Sequence, residues 1–205
     1  MANRTFRAVF SDIGGVLGTN GWDTGLRRRI TDQFHCDFEH IERRHSLMFD
    51  SFERGHISFE DYLRRVFFAV PRGFGLEDIR DFAYKESTPW PDNIRFLQHL
   101  KRSNELKLAL ISNEGEGLAE YRVEKFGLRE LADFVIFSHF VHMRKPDPEI
   151  WQLALNLLQL KPSQTIYIDD RALFADIAAG LGFIAIHHVS LEMTRHAIAG
   201  FGLTV

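Results

Sequence analysis

One cysteine, six prolines and no long apolar run mark out what this chain is not. Cys36 alone cannot build a disulfide framework, which excludes a disulfide-stapled secreted scaffold and makes a reducing, cytoplasmic setting the expectation. No window is apolar for long enough to span a bilayer. The segment Met1-Ala2-Asn3-Arg4-Thr5 lacks the apolar stretch of a signal peptide and is expected to run straight into a strand. Neither sign of charge is in excess: 25 Lys and Arg stand against 28 Asp and Glu, a formal net charge of -3, which removes any electrostatic case for nucleic acid or a membrane surface. Ten histidines show no metal-ligand spacing, and Gly14-Gly15-x-x-Gly18 is not the glycine pattern of dinucleotide binding. There is no internal repeat. With 205 residues, 45% of them hydrophobic, the chain suits one core, or a core plus a small subdomain.

What is present is a repeated gesture. Asp12 ends the apolar run Phe6-Arg7-Ala8-Val9-Phe10-Ser11 and opens into Ile13-Gly14-Gly15-Val16-Leu17-Gly18. Ser112 ends Leu106-Lys107-Leu108-Ala109-Leu110-Ile111, and Asp169-Asp170 end Thr165-Ile166-Tyr167-Ile168. Polar residues at the carboxyl ends of apolar strands sit where open α/β sheets place their chemistry. From about residue 91 the pattern is strand, helix, strand, helix, with strands expected at 106–111, 134–137, 165–169 and 183–187. Such alternation implies an α/β fold, a Rossmann-like doubly wound parallel sheet with all strand carboxyl ends on one edge.

More than ninety residues separate the first strand from the second, too many for an ordinary connection. Leu26, Ile30 and Phe34, then Ile41, His45, Met48, Phe49 and Phe52, recur at helical spacing, and Asp61 to Val70 reads as a further helix. The economical reading is a core of residues 1–17 and 89–205 with a helical subdomain inserted at 18–88. Trp22 is expected to pack within that subdomain or on its surface. The arginine runs Arg27-Arg28-Arg29, Arg43-Arg44 and Arg64-Arg65 are expected to be solvated helix faces, and Cys36 an inert thiol.

A strand-end aspartate can attack phosphorus and carry an aspartyl-phosphate that water later cleaves. The crowded anionic oxygens then call for a hard cation such as Mg²⁺. Asp12 and Asp170 supply carboxylates for it, with the Gly14 carbonyl between them. The Ser112 hydroxyl, the turn's backbone N–H groups and a lysine would hold the phosphoryl oxygens. That lysine is Lys145, in Met143-Arg144-Lys145-Pro146-Asp147-Pro148, where two prolines stiffen a loop before a helix.

The order Asp12, Ser112, Lys145, Asp169-Asp170 resembles the four motifs of the haloacid dehalogenase superfamily, most of whose members are Mg²⁺-dependent phosphatases. Ile111-Ser112-Asn113, Arg144-Lys145-Pro146-Asp147-Pro148 and Ile168-Asp169-Asp170 with Ala178-Ala179-Gly180-Leu181-Gly182-Phe183 carry the likeness. The insertion at 18–88 resembles the superfamily's helical cap over a Rossmann-like catalytic core, and Phe52-Glu53-Arg54-Gly55-His56-Ile57-Ser58 is similar to a helix–turn–helix step found in such caps. The nearest branch in appearance is that of sugar-phosphate phosphatases and epoxide-hydrolase-associated phosphatase domains. The resemblance implies a hydrolase of small phosphorylated substrates: Asp12 as nucleophile; Asp12, Gly14 and Asp170 as metal ligands; Ser112, Asn113 and Lys145 as phosphate binders. A homodimer is compatible with it, the nineteen phenylalanines being enough to furnish both a core and an apolar face.

Two positions depart from the pattern. Gly14 stands where most relatives carry the aspartate that protonates the leaving oxygen, a role worth about 10²–10⁴-fold. Its absence favours good leaving groups, such as sugar-1-phosphates or acyl phosphates, or a proton donor borrowed from cap or substrate. Phe174 stands where Asn or Asp is usual and weakens the support of the metal ligands. Two other functions share these residues: metal-free 2-haloacid dehalogenation, and phosphate or partner binding without catalysis.

Overall fold

The runs that end at Asp12, Ser112 and Asp169 are neighbouring parallel strands in the computed structural model, which describes residues 6–205. The stretch Met1–Thr5, expected to lead into the first strand, lies outside the described residues. Strands β1 (Ala8–Ser11), β2 (Lys107–Ser112), β3 (Phe134–Phe137), β4 (Thr165–Asp169) and β5 (Ile184–His187) form one sheet in the order β3-β2-β1-β4-β5. All four pairings are parallel, and Ser11 lies level with Leu110 on one side and Ile168 on the other. The central strands are buried on both faces, which is why they read as continuous apolar runs rather than as alternation. Val9, Leu108, Leu110, Ile166 and Ile168 face one core; Phe10, Ala109, Ile111 and Tyr167 face the other. Each fully buried Leu, Ile or Phe in them contributes roughly 1.5–3 kcal/mol. This is the doubly wound α/β sheet expected from the alternation.

Between β1 and β2 come α1 (Thr24–Gln33), α2 (Phe38–Glu53), α3 (Phe59–Phe67), α4 (Leu76–Glu86) and α5 (Pro91–Ser103). Short polar residues start three of them: Asp23 accepts from the Leu26 N–H (2.7 Å), Asp37 from that of His40 (3.0 Å) and Ser58 from that of Asp61 (3.1 Å). The Ser58 cap is why α3 begins at Phe59, ahead of the expected Asp61, and it ends at Phe67 rather than running to Val70. Helices α1 to α4 bury a third apolar cluster of their own, including Leu26, Ile30, Ile41, Tyr62, Phe67 and Ile79. The chain crosses between this helical lobe and the sheet through adjacent segments. Thr19 N–H donates to the Thr88 carbonyl (2.9 Å) and Thr88 N–H to the Thr19 hydroxyl (3.0 Å).

After β2 the order is α6 (Leu118–Lys125), α7 (Leu128–Leu131), β3, α8 (Ser138–Val141), α9 (Glu149–Leu158), β4, α10 (Ala172–Gly180), β5 and α11 (Leu191–Ala199). α9 and α10 cover one face of the sheet, and α5, α6, α7 and α11 the other. No helix among the described residues is long and apolar enough to cross a membrane.

Candidate active site

Because the central strands are parallel and in register, Asp12, Asn113 and Asp170 are the first residues beyond three neighbouring strand ends. Asp12 keeps its N–H on the Ile168 carbonyl (2.9 Å), and its Oδ1 accepts from the Ile13 N–H (2.7 Å). Gly15, at φ +67°, carries the turn over the Asp170 side chain; a Cβ there would run into that carboxyl group. Asn20 Nδ2 donates to Asp170 Oδ2 at 3.1 Å.

Lys145 arrives from the loop between α8 and α9, fully buried, with Nζ 2.7 Å from Asp169 Oδ2 and 3.0 Å from Asp12 Oδ2. Asn113 fixes that loop: its Oδ1 accepts from the Lys145 N–H and its Nδ2 donates to the Lys145 carbonyl, each at 2.8 Å. Asp169 also accepts from the Tyr167 hydroxyl and the Arg171 N–H (2.9 Å). Burial pushes the Asp12 carboxyl up to about 6; Lys145 opposes the rise, Asp169 and Asp170 add to it, and the Ser112 hydroxyl lowers it. Burial would push the Lys145 ammonium down, but Asp12, Tyr167 and Asp169 hold it well above its usual range.

Oxygens of Asp12, Asp169 and Asp170 lie within 4.8 Å of one another. Of these three buried or half-buried carboxylates, two, Asp12 and Asp169, share the Lys145 ammonium. The Asp169 oxygens are already engaged, whereas Asp170 Oδ1 is buried with no hydrogen-bond partner. An orphaned buried carboxylate oxygen beside a second carboxylate is the donor set a hard divalent cation takes, so the acidic cluster fits a metal. Phe174, in the position expected to weaken it, sits in the core under two cations: Lys145 Nζ is 5.2 Å and Arg171 Cζ 5.4 Å from its ring centroid. Its π face takes the side of the lysine that a polar residue would otherwise hold.

Asp12, Gly14, Ser112, Asn113 and Lys145 line one cavity of about 220 Å³, roofed by Trp22, Arg27, His45, Phe49 and Glu53 from the helical lobe. Asp170 lies beside it, in the acidic cluster. The roof contains residues that sequence reasoning missed. Arg27, expected on a solvated face, is only 4% exposed; its Nη2 donates to Glu42 Oε2 at 2.8 Å, while Arg28, Arg29, Arg43, Arg64 and Arg65 do face outward. Trp22 packs on Phe59 (5.3 Å between centroids) and its Nε1 donates to the Tyr62 hydroxyl at 2.6 Å. Burial, helped by Arg27, pushes His45 down to about 4, and its Nδ1 lies 2.7 Å from the same hydroxyl.

Glu53 ends α2, buried, with the Arg144 guanidinium 2.8 Å from its Oε2. The available signal was phase: His45, Phe49 and Glu53 follow one another at four-residue steps along one face of α2. Glu114 and Arg122 form a buried ion pair, and Arg122 also donates to Ser87 Oγ (2.9 Å) and the Thr19 carbonyl (2.6 Å). No spacing in the sequence marks that pair.

The haloacid dehalogenase-like hydrolase family matches residues 6–182. Among curated proteins, (S)-2-haloacid dehalogenase 4A of Burkholderia cepacia is 28% identical over 109 residues, 53% of this chain and 47% of its own length. Flavin mononucleotide hydrolase 1 of Arabidopsis thaliana is 23% identical over 167 residues, 80% of this chain and 66% of its own. The chain thus spans less than two-thirds of the length of these relatives. A HAD family enzyme of Bacteroides thetaiotaomicron superposes with a TM-score of 0.79 at 17% identity, covering 95% of this chain and 98% of that one. The same enzyme bound to magnesium and inorganic phosphate superposes at 0.73, with 18% identity and 92% and 98% coverage. At such identities the likeness is one of fold.

Proposed function

The chain belongs to the haloacid dehalogenase-like hydrolase family, and from that premise we propose that it is a Mg²⁺-dependent phosphomonoester hydrolase acting on a small phosphorylated metabolite. The observation that carries this reading is the orphaned Asp170 Oδ1 beside Asp12, in a cluster whose single ammonium is already shared by two carboxylates. Asp12 attacks phosphorus and becomes the aspartyl-phosphate. Asp12, the Gly14 carbonyl and Asp170 would hold Mg²⁺, whose charge would neutralise phosphoryl oxygens. Lys145, Ser112 and Asn113 receive the phosphoryl group. Lys145 supplies fixed charge, and Asn113 keeps the lysine's loop in place through both its backbone hydrogen bonds. Residues 18–88 act as a cap that shields the reaction from water, and the modest cavity beneath it suits a small substrate. Named relatives include a flavin mononucleotide hydrolase and a phosphorylated-carbohydrate phosphatase, which supports the phosphatase reading.

A second reading, 2-haloacid dehalogenation, is favoured by similarity to dehalogenases. A metal-free site has no use for the unpartnered Asp170 oxygen, an observation that supports the phosphatase reading. Phosphate release should be measured across sugar-1-phosphates, acetyl phosphate, flavin mononucleotide and p-nitrophenyl phosphate, with Mg²⁺ and with chelator. The expected result is turnover that needs both Mg²⁺ and Asp12, disappearing in Asp12→Asn. Halide release from a 2-haloacid, unaffected by chelator, would sink the phosphatase reading in favour of the dehalogenase. Silence on both, in a folded protein, would favour binding without catalysis.

A further inference from the structure

We propose that Glu53, delivered from the helical lobe, is the group that gives and takes the proton in the reaction at Asp12, a task for which Gly14 has no side chain. The inference rests on the phosphatase reading above and adds a catalytic residue to it. Glu53 lines the same cavity as Asp12, Ser112 and Lys145, and reaches it from the helical lobe, at the end of α2. Its carboxyl group is buried, and Oε2 accepts no well-directed hydrogen bond; the Arg144 guanidinium beside it acts as a charge rather than a donor. A buried carboxyl group lining a cavity it shares with a nucleophile is equipped to move a proton.

Several contacts hold Glu53 there. The turn that follows it is pinned to the sheet side: Arg54 Nη2 meets Asp147 Oδ2 at 2.6 Å, and His142 Nδ1 lies 2.7 Å from the Arg54 carbonyl. Gly55, at φ +67°, lets the backbone close on the His139 carbonyl, where a Cβ would collide. On the other side, the Phe52 ring covers Gly115, in the loop after β2. Glu53 is therefore mounted on a fixed corner of the lobe, at a helix C-terminus whose dipole disfavours a carboxylate.

Its surroundings suit the task at neutral pH. Burial pushes the Glu53 carboxyl up to about 7. Arg144 from the loop before α9, Arg171 ahead of α10, and Lys145 all pull it down, while Glu114 after β2 adds to the rise. On its own helix, His45 is neutral and Asp50 is paired with Arg54 and Arg144. Both protonation states are thus accessible near pH 7. In the first step Asp12 forms the bond to phosphorus and the P–O bond to the leaving group breaks. Its electron pair goes to the leaving oxygen, which takes the Glu53 proton and departs as an alcohol. In the second, the Glu53 carboxylate takes a proton from the water that attacks the aspartyl-phosphate, releasing phosphate and restoring both side chains.

The test compares kcat/KM for a simple alkyl phosphate and for p-nitrophenyl phosphate, across pH, in wild type and Glu53→Gln. For wild type with the alkyl ester, kcat/KM should fall as pH rises through about 7, because the acid form is lost; the aryl ester, whose leaving group needs no proton, should lack that limb. Glu53→Gln should lower the alkyl value by about 10²–10⁴-fold and erase the limb, while lowering the aryl value by less than about tenfold. Equal loss on both esters, or a limb that persists in Glu53→Gln, overturns the proposal and leaves the phosphatase intact. A wild type without Asp12-dependent phosphate release overturns both. The wild-type comparison of the two esters needs no variant, so a Glu53→Gln protein that failed to fold would still leave the limb decisive.

Discussion

Lys145 shows how much one side chain is asked to hold. Its ammonium is wholly buried and bridges Asp12 and Asp169, with the Phe174 ring below. Breaking a buried ion pair by removing one partner typically costs about 3–5 kcal/mol, because the remaining charges stay uncompensated. Lys145→Met should therefore unfold in urea with a stability lower by about that amount. Added Mg²⁺ should raise the variant's stability more than wild type's, since it would neutralise the same carboxylates; an equal response in both would count against a cation site at Asp12 and Asp170. Asp12, Ser112, Lys145 and Asp170 were legible in the sequence because each sits at the end of an apolar run or in a proline-stiffened loop. Glu53 and Arg27 were not. Helical phase tells that a residue faces inward, but not whether it meets another helix or a cavity, and a charge at such a position reads as an exception until the facing wall is known.

At the scale of elements, the turn between α2 and α3 is the joint on which the roof of the cavity depends. Gly55→Ala would force a side chain into a positive-φ position and against the His139 carbonyl. Strain of this kind costs about 1–3 kcal/mol. The expected outcome is a loss of that size in denaturant unfolding, together with a drop in alkyl-phosphate turnover as Glu53 loses its mount; unchanged turnover would detach the turn from the chemistry. The strands and long helices could be read from periodicity and caps. The short α7 and α8 escaped, being single turns whose four residues carry no period, and α6 stops at Lys125 because Gly127, in the left-handed region at φ 65°, opens α7 in place of a loop.

At the scale of the whole molecule, the lobe's apolar cluster meets the sheet side through polar contacts, of which the Arg122 network is the most buried, and through rings such as Phe52 over Gly115. Ligands that sit between sheet and lobe should therefore stabilise both together. Inorganic phosphate with Mg²⁺, each near one hundred times its dissociation constant, should add about 2.7 kcal/mol per site, seen as a rise in the single melting transition. Asp170→Asn should remove the Mg²⁺-dependent part. A melting temperature indifferent to both would argue against the site as drawn. The doubly wound sheet was legible from its alternating rhythm, whereas the closeness of the lobe to the strand ends was not, since it depends on ion pairs such as Arg54 with Asp147, ninety-three residues apart.

The paired crossings at Thr19 and Thr88 bear on how such molecules diversify. The chain leaves the sheet and comes back at hydrogen-bonded neighbours, so to the sheet the whole intervening lobe has the ends of a tight hairpin. Lengthening a loop between fixed ends costs only about 0.6 kcal/mol per doubling. A lobe of different size or chemistry, spliced at these two threonines, would leave every strand register untouched. The roof is in this sense an exchangeable cassette, and the floor at the strand ends can keep its residues while the chemistry above it is rewritten.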